Sequence, residues 1–167
     1  AENAMALMLF LQRGLRVYDR SIQQDKRWVY DEAKGLKRIE GQTMGIVGLG
    51  RIGRSVAKKA RGFDMNVIAY DPFLPKEVAD SIGVPLVDMD TILEQSDVIS
   101  VHMNLTDDNY HMFNKELFAK CKKQPILINE GRGAMICEED LVWALDNGLI
   151  RAAGLDMLES EFPELDK

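Results

Sequence analysis

The chain of 167 residues is expected to fold as an α/β domain built on a doubly wound parallel sheet, and three observations predict this. Short apolar runs of strand length recur at 44–47, 67–70, 97–102, 126–129 and 152–157. Several are apolar on both faces, as strands covered by helices on each side require. Segments with helical spacing of apolar residues separate the runs, with glycines and prolines at the junctions. Strand and helix alternating at this spacing imply parallel strands joined by crossovers.

In chain order, residues 2–18 place Ala4, Leu7, Met8, Leu11 and Leu15 at helical spacing. Met5, Leu9 and Phe10 make the opposite face apolar too, so this helix is expected to be covered on more than one side. Residues 20–42 read as an ordered connector, poor in Ser and Pro, with Trp28 and Tyr30 as expected anchors onto the body. The strand at 44–47 then enters Gly48-Leu49-Gly50-Arg51-Ile52-Gly53, followed by helical positions Ile52, Val56, Ala57 and Ala60. A second strand ends on Asp71, and Asp71-Pro72 turns the chain. Beyond it the pattern predicts a helix over 76–82 stopped by Gly83, a brief strand at 85–87 and a helix over 89–95. The strand at 97–102, a polar loop at 104–109, a helix over 115–120 and the strand at 126–129 follow. A Gly-Arg-Gly turn leads to a helix over 138–147, whose three opening acids (Glu138, Glu139 and Asp140) complement its dipole. The last strand covers 152–157.

Strand, glycine turn, helix, strand and terminal acid are the parts of a dinucleotide-binding βαβ unit of Rossmann type. Gly48 permits the tight turn, Gly50 leaves the backbone open to a pyrophosphate, and Gly53 lets the helix lie close to the strand. The helix start offers unsatisfied N–H groups to the phosphates. Asp71 can accept hydrogen bonds from both ribose hydroxyls of an adenosine. It would repel a 2′-phosphate, and no Arg follows it, so NAD is expected over NADP.

Composition narrows the classes. A formal charge of −6 with no basic cluster argues against a nucleic-acid partner. No apolar run approaches the roughly 20 residues of a membrane helix. Cys121 and Cys137 make neither a disulfide framework nor a metal site, and are expected as reduced thiols in the cytoplasm. The chain starts without Met inside a helix and stops just after a strand-like segment, so both ends read as cut from something larger. The expected organisation is a single domain over 1–167, with a leading interdomain or dimer helix at 1–19, the connector at 20–42 and the core at 43–167.

Ligands of such sheets lie beyond the carboxyl ends of the strands. The polar residues there are Asp71, then 102–106, then 129–132, and finally 156–161. Arg132, alone between two glycines, could hold a carboxylate bidentately and polarise an adjacent carbonyl. Asp156 could fix a carboxamide by accepting its N–H, and Glu161 could orient and charge-stabilise a catalytic imidazole. His102 reads as a hydrogen-bonded wall residue and His111 as loop surface.

Four stretches, AENAMALML at 1–9, GIVGLGRIG at 45–53, the long run 97–133 and AAGLDMLESE at 152–161, carry a family resemblance. The sequence resembles the NAD-binding domain of the D-isomer-specific 2-hydroxyacid dehydrogenases, the group containing D-lactate, glycerate and D-3-phosphoglycerate dehydrogenases. The resemblance implies that Gly48, Gly50, Arg51, Ile52 and Gly53 meet the pyrophosphate and Asp71 the adenosine ribose. Met103, Asn104, Glu130 and Asp156 would lie along the nicotinamide half, with Tyr70, Pro72, His102 and Gly131 in the same site. Arg132 matches the substrate-binding Arg, and Glu161 the acid paired with a catalytic His that in this family lies further along. The substrate domain, built from segments on both sides of this one, would be absent, and the fragment is expected to be inactive alone. The implied activity is hydride transfer between NAD(H) and a D-2-hydroxy or 2-oxo acid in a cytoplasmic homodimer, with no metal. Three positions depart from the family pattern: Asn104 and Phe162 stand where Pro is usual, and Glu130 where a small or neutral residue is usual. Two alternatives remain: an NAD-sensing corepressor-like scaffold of the same family, and a methyltransferase-like domain binding S-adenosylmethionine.

Overall fold

The computed structural model describes residues 1–30, 33 and 36–160. Five parallel strands form one sheet in the order β2-β1-β3-β4-β5: β1 (Thr43–Val47), β2 (Asn66–Tyr70), β3 (Val98–Val101), β4 (Ile126–Asn129) and β5 (Ala152–Leu155). The chain moves outward from β1 to β2, then returns to place β3 on the other side of β1. That reversal opens a crevice at the carboxyl ends of β1 and β3.

The register keeps those ends level. Tyr70 pairs with Val47, Val47 with Val101, Val101 with Asn129, and Asn129 with Leu155. The ladder runs one amide further: Gly48 N–H donates to the Tyr70 carbonyl (2.8 Å), His102 N–H to Val47 (2.7 Å), Glu130 N–H to Val101 (3.0 Å) and Asp156 N–H to Asn129 (3.0 Å). Asp71, Gly48, His102, Glu130 and Asp156 therefore stand in one row along the sheet edge, about 5 Å apart by strand spacing.

Side-chain alternation explains why the sheet must be covered on both faces. Met44, Ile46, Val98, Ile126 and Ile128 point to one side, where they meet α1 (Glu2–Gln12) and α3 (Arg51–Arg61) through Met5, Met8, Val56, Ala57 and Ala60. Val47, Ile99, Val101 and Leu127 point to the other, packing on α5 (Met89–Gln95), α6 (Lys115–Ala119) and α7 (Glu138–Asp146) through Ile92, Leu93, Phe118, Leu141 and Ala144. Each fully buried Ile or Leu contributes roughly 2 kcal/mol of transfer free energy. Asp88 caps α5 by accepting the Thr91 N–H (2.7 Å), and Asn114 caps α6 by accepting that of Leu117 (3.1 Å).

Three expectations change. The single helix over 2–18 is two, α1 and α2 (Leu15–Gln23), because Gly14 adopts a left-handed conformation at φ 61°. The strand at 85–87 shrinks to one bridge, Leu86 to Ala69 on the outer edge of β2, after the short helix α4 (Lys76–Ser81). Trp28 and Tyr30 do not anchor the connector, being 83% and 82% exposed. The fastening is polar instead: Gln12 Nε2 donates to Gln42 Oε1 (2.6 Å), Gln42 Nε2 to the Arg38 carbonyl (2.8 Å) and Arg151 Nη2 to Gln12 Oε1 (2.8 Å). Buried amides must be paired, so this small network specifies where the connector lies. Residues 31, 32, 34 and 35 of the connector, and 161–167 with Glu161 and Phe162, lie outside the described residues.

The turn after β1 depends on close packing at Gly53. A Cβ there would overlap the Gly48 carbonyl oxygen, whereas one on Gly50 would meet nothing within 4 Å. Gly53→Ala is expected to destabilise the fold by about 1–3 kcal/mol, the usual cost of overpacking. Gly50→Ala, at φ −69°, should stay within about 0.5 kcal/mol of the parent. Urea unfolding of the two variants checks the contrast.

Candidate functional site

At the sheet reversal lies a cleft of about 350 Å³ lined by Gly48, Gly50, Asp71, Phe73, His102, Met103, Asn104, Thr106 and Asn109. Its floor is the β1–α3 turn. Gly48 takes φ 94°, and a Cβ there would press on the Met103 backbone nitrogen and side chain. No side chain caps α3, whose N-cap is Gly50. The orphan N–H groups of its first turn thus face whatever enters the cleft.

Asp71 is built into that turn. Its Oδ2 accepts the Leu49 N–H (2.8 Å), and its Oδ1 accepts those of Phe73 (3.0 Å) and Leu74 (3.1 Å). Three of its roughly four acceptor positions are used, so the carboxylate is locked in orientation with capacity left for a hydroxyl donor. The adjacent Phe73 ring is exposed and supplies an apolar wall beside it.

On the β3 side, His102 Nε2 lies 2.8 Å from Ser100 Oγ, while Nδ1 is buried without a partner. Burial disfavours the imidazolium and pulls the ring pKa down to about 4, so His102 is a neutral wall residue near pH 7. The loop beyond it is held by Asn109, whose Nδ2 donates to the Asn104 carbonyl (2.8 Å) and whose Oδ1 accepts the Thr106 N–H (2.8 Å). Asn104 itself is exposed on the cleft wall.

The remaining residues expected from the sequence lie around this cleft rather than in it. Arg51 and Ile52 are exposed on the first turn of α3, and Tyr70 and Pro72 flank Asp71. Gly131 packs its backbone on Met103: a Cβ there would come to 2.8 Å from the Met103 carbonyl oxygen. Gly133 admits no Cβ either, because the Leu158 backbone fills that space. Arg132 between them is exposed, with Nη1 donating to the Gly131 carbonyl (3.1 Å) and lying 4.0 Å from Met157 Sδ. Its guanidinium forms no ion pair with any described acid. From the first turn of α1, Asn3 Nδ2 donates to Asp156 Oδ1 (2.8 Å). Glu130 is half-buried with its Oε1 unpartnered. Burial and the neighbouring Asp156 raise its pKa, against a hydrogen bond from the Asn3 amide.

Sequence reasoning passed over Phe73 and Asn109; the Thr106-x-x-Asn109 capping pattern was the available signal for the second. The loop position of His111 likewise suggests plain surface. In fact Glu159 accepts hydrogen bonds from the Tyr110 hydroxyl (2.8 Å) and lies 3.1 Å from His111 Nε2, whose ring stacks on Tyr110. Glu159 stands 49 and 48 positions from these two partners in sequence, beyond the reach of local spacing.

The cleft fits a dinucleotide: an uncapped helix start over an unobstructed Gly50 and a pre-oriented Asp71 converge on it. Comparison with known proteins agrees. Residues 5–167 match the family model for the NAD binding domain of D-isomer specific 2-hydroxyacid dehydrogenase. D-3-phosphoglycerate dehydrogenase of Archaeoglobus fulgidus is 43% identical over 166 residues, spanning 99% of this chain and 31% of that protein. Among solved structures, a glyoxylate reductase from Paecilomyes thermophila superposes with a TM-score of 0.86 at 36% identity, over 96% of this chain and 48% of that one. The NAD complexed form of a D-isomer specific 2-hydroxyacid dehydrogenase from Lactobacillus delbrueckii ssp. bulgaricus gives 0.86 at 28% identity, over 99% and 51%. The chain thus spans about a third to a half of these relatives, all of which are named as enzymes.

His102 carries a pH signature. The unfolded ring takes its proton near 6.5 and the folded ring only at about 4. Its contribution to stability is therefore full above pH 6.5 and is lost as pH falls toward 4, by about 3 kcal/mol in all. Urea unfolding between pH 7 and 4 should show this extra acid slope in the parent chain and its absence in His102→Gln.

Proposed function

We propose that this chain, which belongs to the D-isomer specific 2-hydroxyacid dehydrogenase family as an NAD-binding domain, holds NAD(H) for hydride exchange with a small D-2-hydroxy or 2-oxo acid in the full-length protein. The observation that carries the reading is the cleft at the sheet reversal, where an open Gly50, an uncapped helix start and the strapped carboxylate of Asp71 meet. The α3 amides, with Arg51 and Ile52 beside them, receive the diphosphate. Asp71 accepts a ribose hydroxyl through its remaining Oδ2 position, Phe73 gives the adenine an apolar surface, and Tyr70 and Pro72 shape that end. Met103, Asn104, Glu130, Gly131 and Asp156 border the nicotinamide half. NAD, when bound, supplies the two-electron acceptor or donor.

Arg132 binds the substrate carboxylate and draws electron density from the adjacent carbonyl. Its freedom from ion pairs with described acids supports that role, because the guanidinium is available for an incoming anion. Glu161, outside the described residues, orients and charges an imidazole. That imidazole comes from outside this chain: His102 is held neutral with Nε2 on Ser100 and Nδ1 buried, and His111 is engaged with Glu159. The isolated chain thus binds cofactor without turning over substrate. The relatives described above, all enzymes, favour this reading over a corepressor-like scaffold. The assembly is a cytoplasmic homodimer. Leu15, Val17 and Ile22, exposed on α2, support a protein contact there, and the free thiols Cys121 and Cys137 fit a reducing compartment.

Calorimetric titration with NAD+ and NADH tests the proposal. Binding of either form supports it, and Gly50→Ala should weaken that binding by at least about tenfold while leaving the fold intact, because its methyl group occupies the diphosphate's approach. A folded chain that gives no heat with either form would sink it. In the full-length protein, Arg132→Ala should lower kcat/KM for 2-oxo acids by roughly tenfold to a hundredfold, the worth of a charge-assisted pair.

A further inference from the structure

The row of residues along the sheet edge orders charge as well as position. Asp71 stands at one end, Gly48 and the α3 turn next, then His102, Glu130 and Asp156. With the adenosine at Asp71 and the diphosphate at the glycine turn, the nicotinamide half extends over the ends of β3, β4 and β5. Two carboxyl groups wait there. Glu130 sits one strand from the cleft wall at His102 and one strand from Asp156. The backbone that follows it packs on Met103, which lines the cleft.

Neither acid is neutralised by a neighbouring side chain. No described cation forms an ion pair with Glu130 or Asp156. Arg132 turns to the Gly131 carbonyl and Met157 instead. The neutral Asn3 amide serves both acids, donating to Asp156 Oδ1 and holding the Glu130 pKa down in part, while Glu130 Oε1 is buried without a partner. The cost of that arrangement shows in Glu130, whose pKa is raised by burial and by Asp156.

We infer that Glu130 is a redox-state discriminator in the cofactor site, its carboxylate favouring the cationic nicotinamide of NAD+ over the neutral ring of NADH. The inference rests on the NAD reading above. The oxidised ring carries a formal positive charge that the reduced ring lacks, so a half-buried carboxylate beside it stabilises one form only. A neutral residue at 130 would leave the two forms less separated. Glu130 is thus a specificity-determining residue that weights the domain toward holding the oxidised cofactor.

Isothermal calorimetry of the chain with NAD+ and with NADH, compared across variants, is the test. Glu130→Gln keeps the shape and removes the charge. It should weaken NAD+ by about tenfold, about 1.4 kcal/mol, while leaving NADH within about twofold. Glu130→Asp, which restores the charge, should recover most of the NAD+ affinity. Asp71→Asn, at the adenosine end, should weaken both forms alike. Equal weakening of both forms by Glu130→Gln, or no change in either, would overturn the inference while leaving the NAD reading intact. Failure of the unaltered chain to bind either form would overturn both.

Discussion

The level register of five parallel strands is the constraint from which the site follows. Because each strand stops at the same height as its neighbours, the residue after each one is delivered to a common edge without any loop having to place it. The backbone ladder fixes that edge by continuing one hydrogen bond past every strand end. Residues from positions 48 to 156 then share one line, held by the sheet rather than by flexible segments. The reversal of strand order beside β1 turns the same edge into a crevice, since the crossovers on its two sides leave in opposite directions.

Within that frame, fine placement is done by backbone donors. Asp71 is oriented by three N–H groups from two turns, so it meets a ligand pre-positioned and loses little freedom on binding. Asn109 performs the same service for the loop after β3, tying the Asn104 carbonyl and the Thr106 amide. On the far side, α1 closes the structure by bringing Asn3 to Asp156, a contact spanning 153 positions. The first helix is thereby part of the site's border as well as of the core.

Much of the fold was legible because its signals are local. Strands buried on both faces need continuous apolar runs, and β4 at 126–129 and α5 at 89–95 matched the predicted bounds. The glycine turn was legible for a different reason: only residues without a Cβ tolerate the approach of Gly53 to Gly48 and of Gly48 to Met103. The failures share a cause as well. Helical spacing at 2–18 was real on both sides of Gly14, but spacing is blind to a break that preserves the period. The chemistry of Trp28 and Tyr30 suggests anchors, yet what secures the connector is the Gln12, Gln42 and Arg151 network. Polar partners 30 and 139 positions apart leave no periodic trace.

By itself the sequence determined the alternation of strands and helices, the cofactor class and the residues at each strand end, because these depend on apolar period, on missing Cβ atoms and on charge type. Only the tertiary structure decided which of those residues line the cleft, that His102 is kept neutral by burial, that His111 belongs to Glu159, and that Glu130 stands beside Asp156 with a buried oxygen unpaired. The division has one physical reason. Desolvation and pairing are properties of a neighbourhood, and in a parallel sheet the neighbours of any residue come from strands separated by a whole crossover.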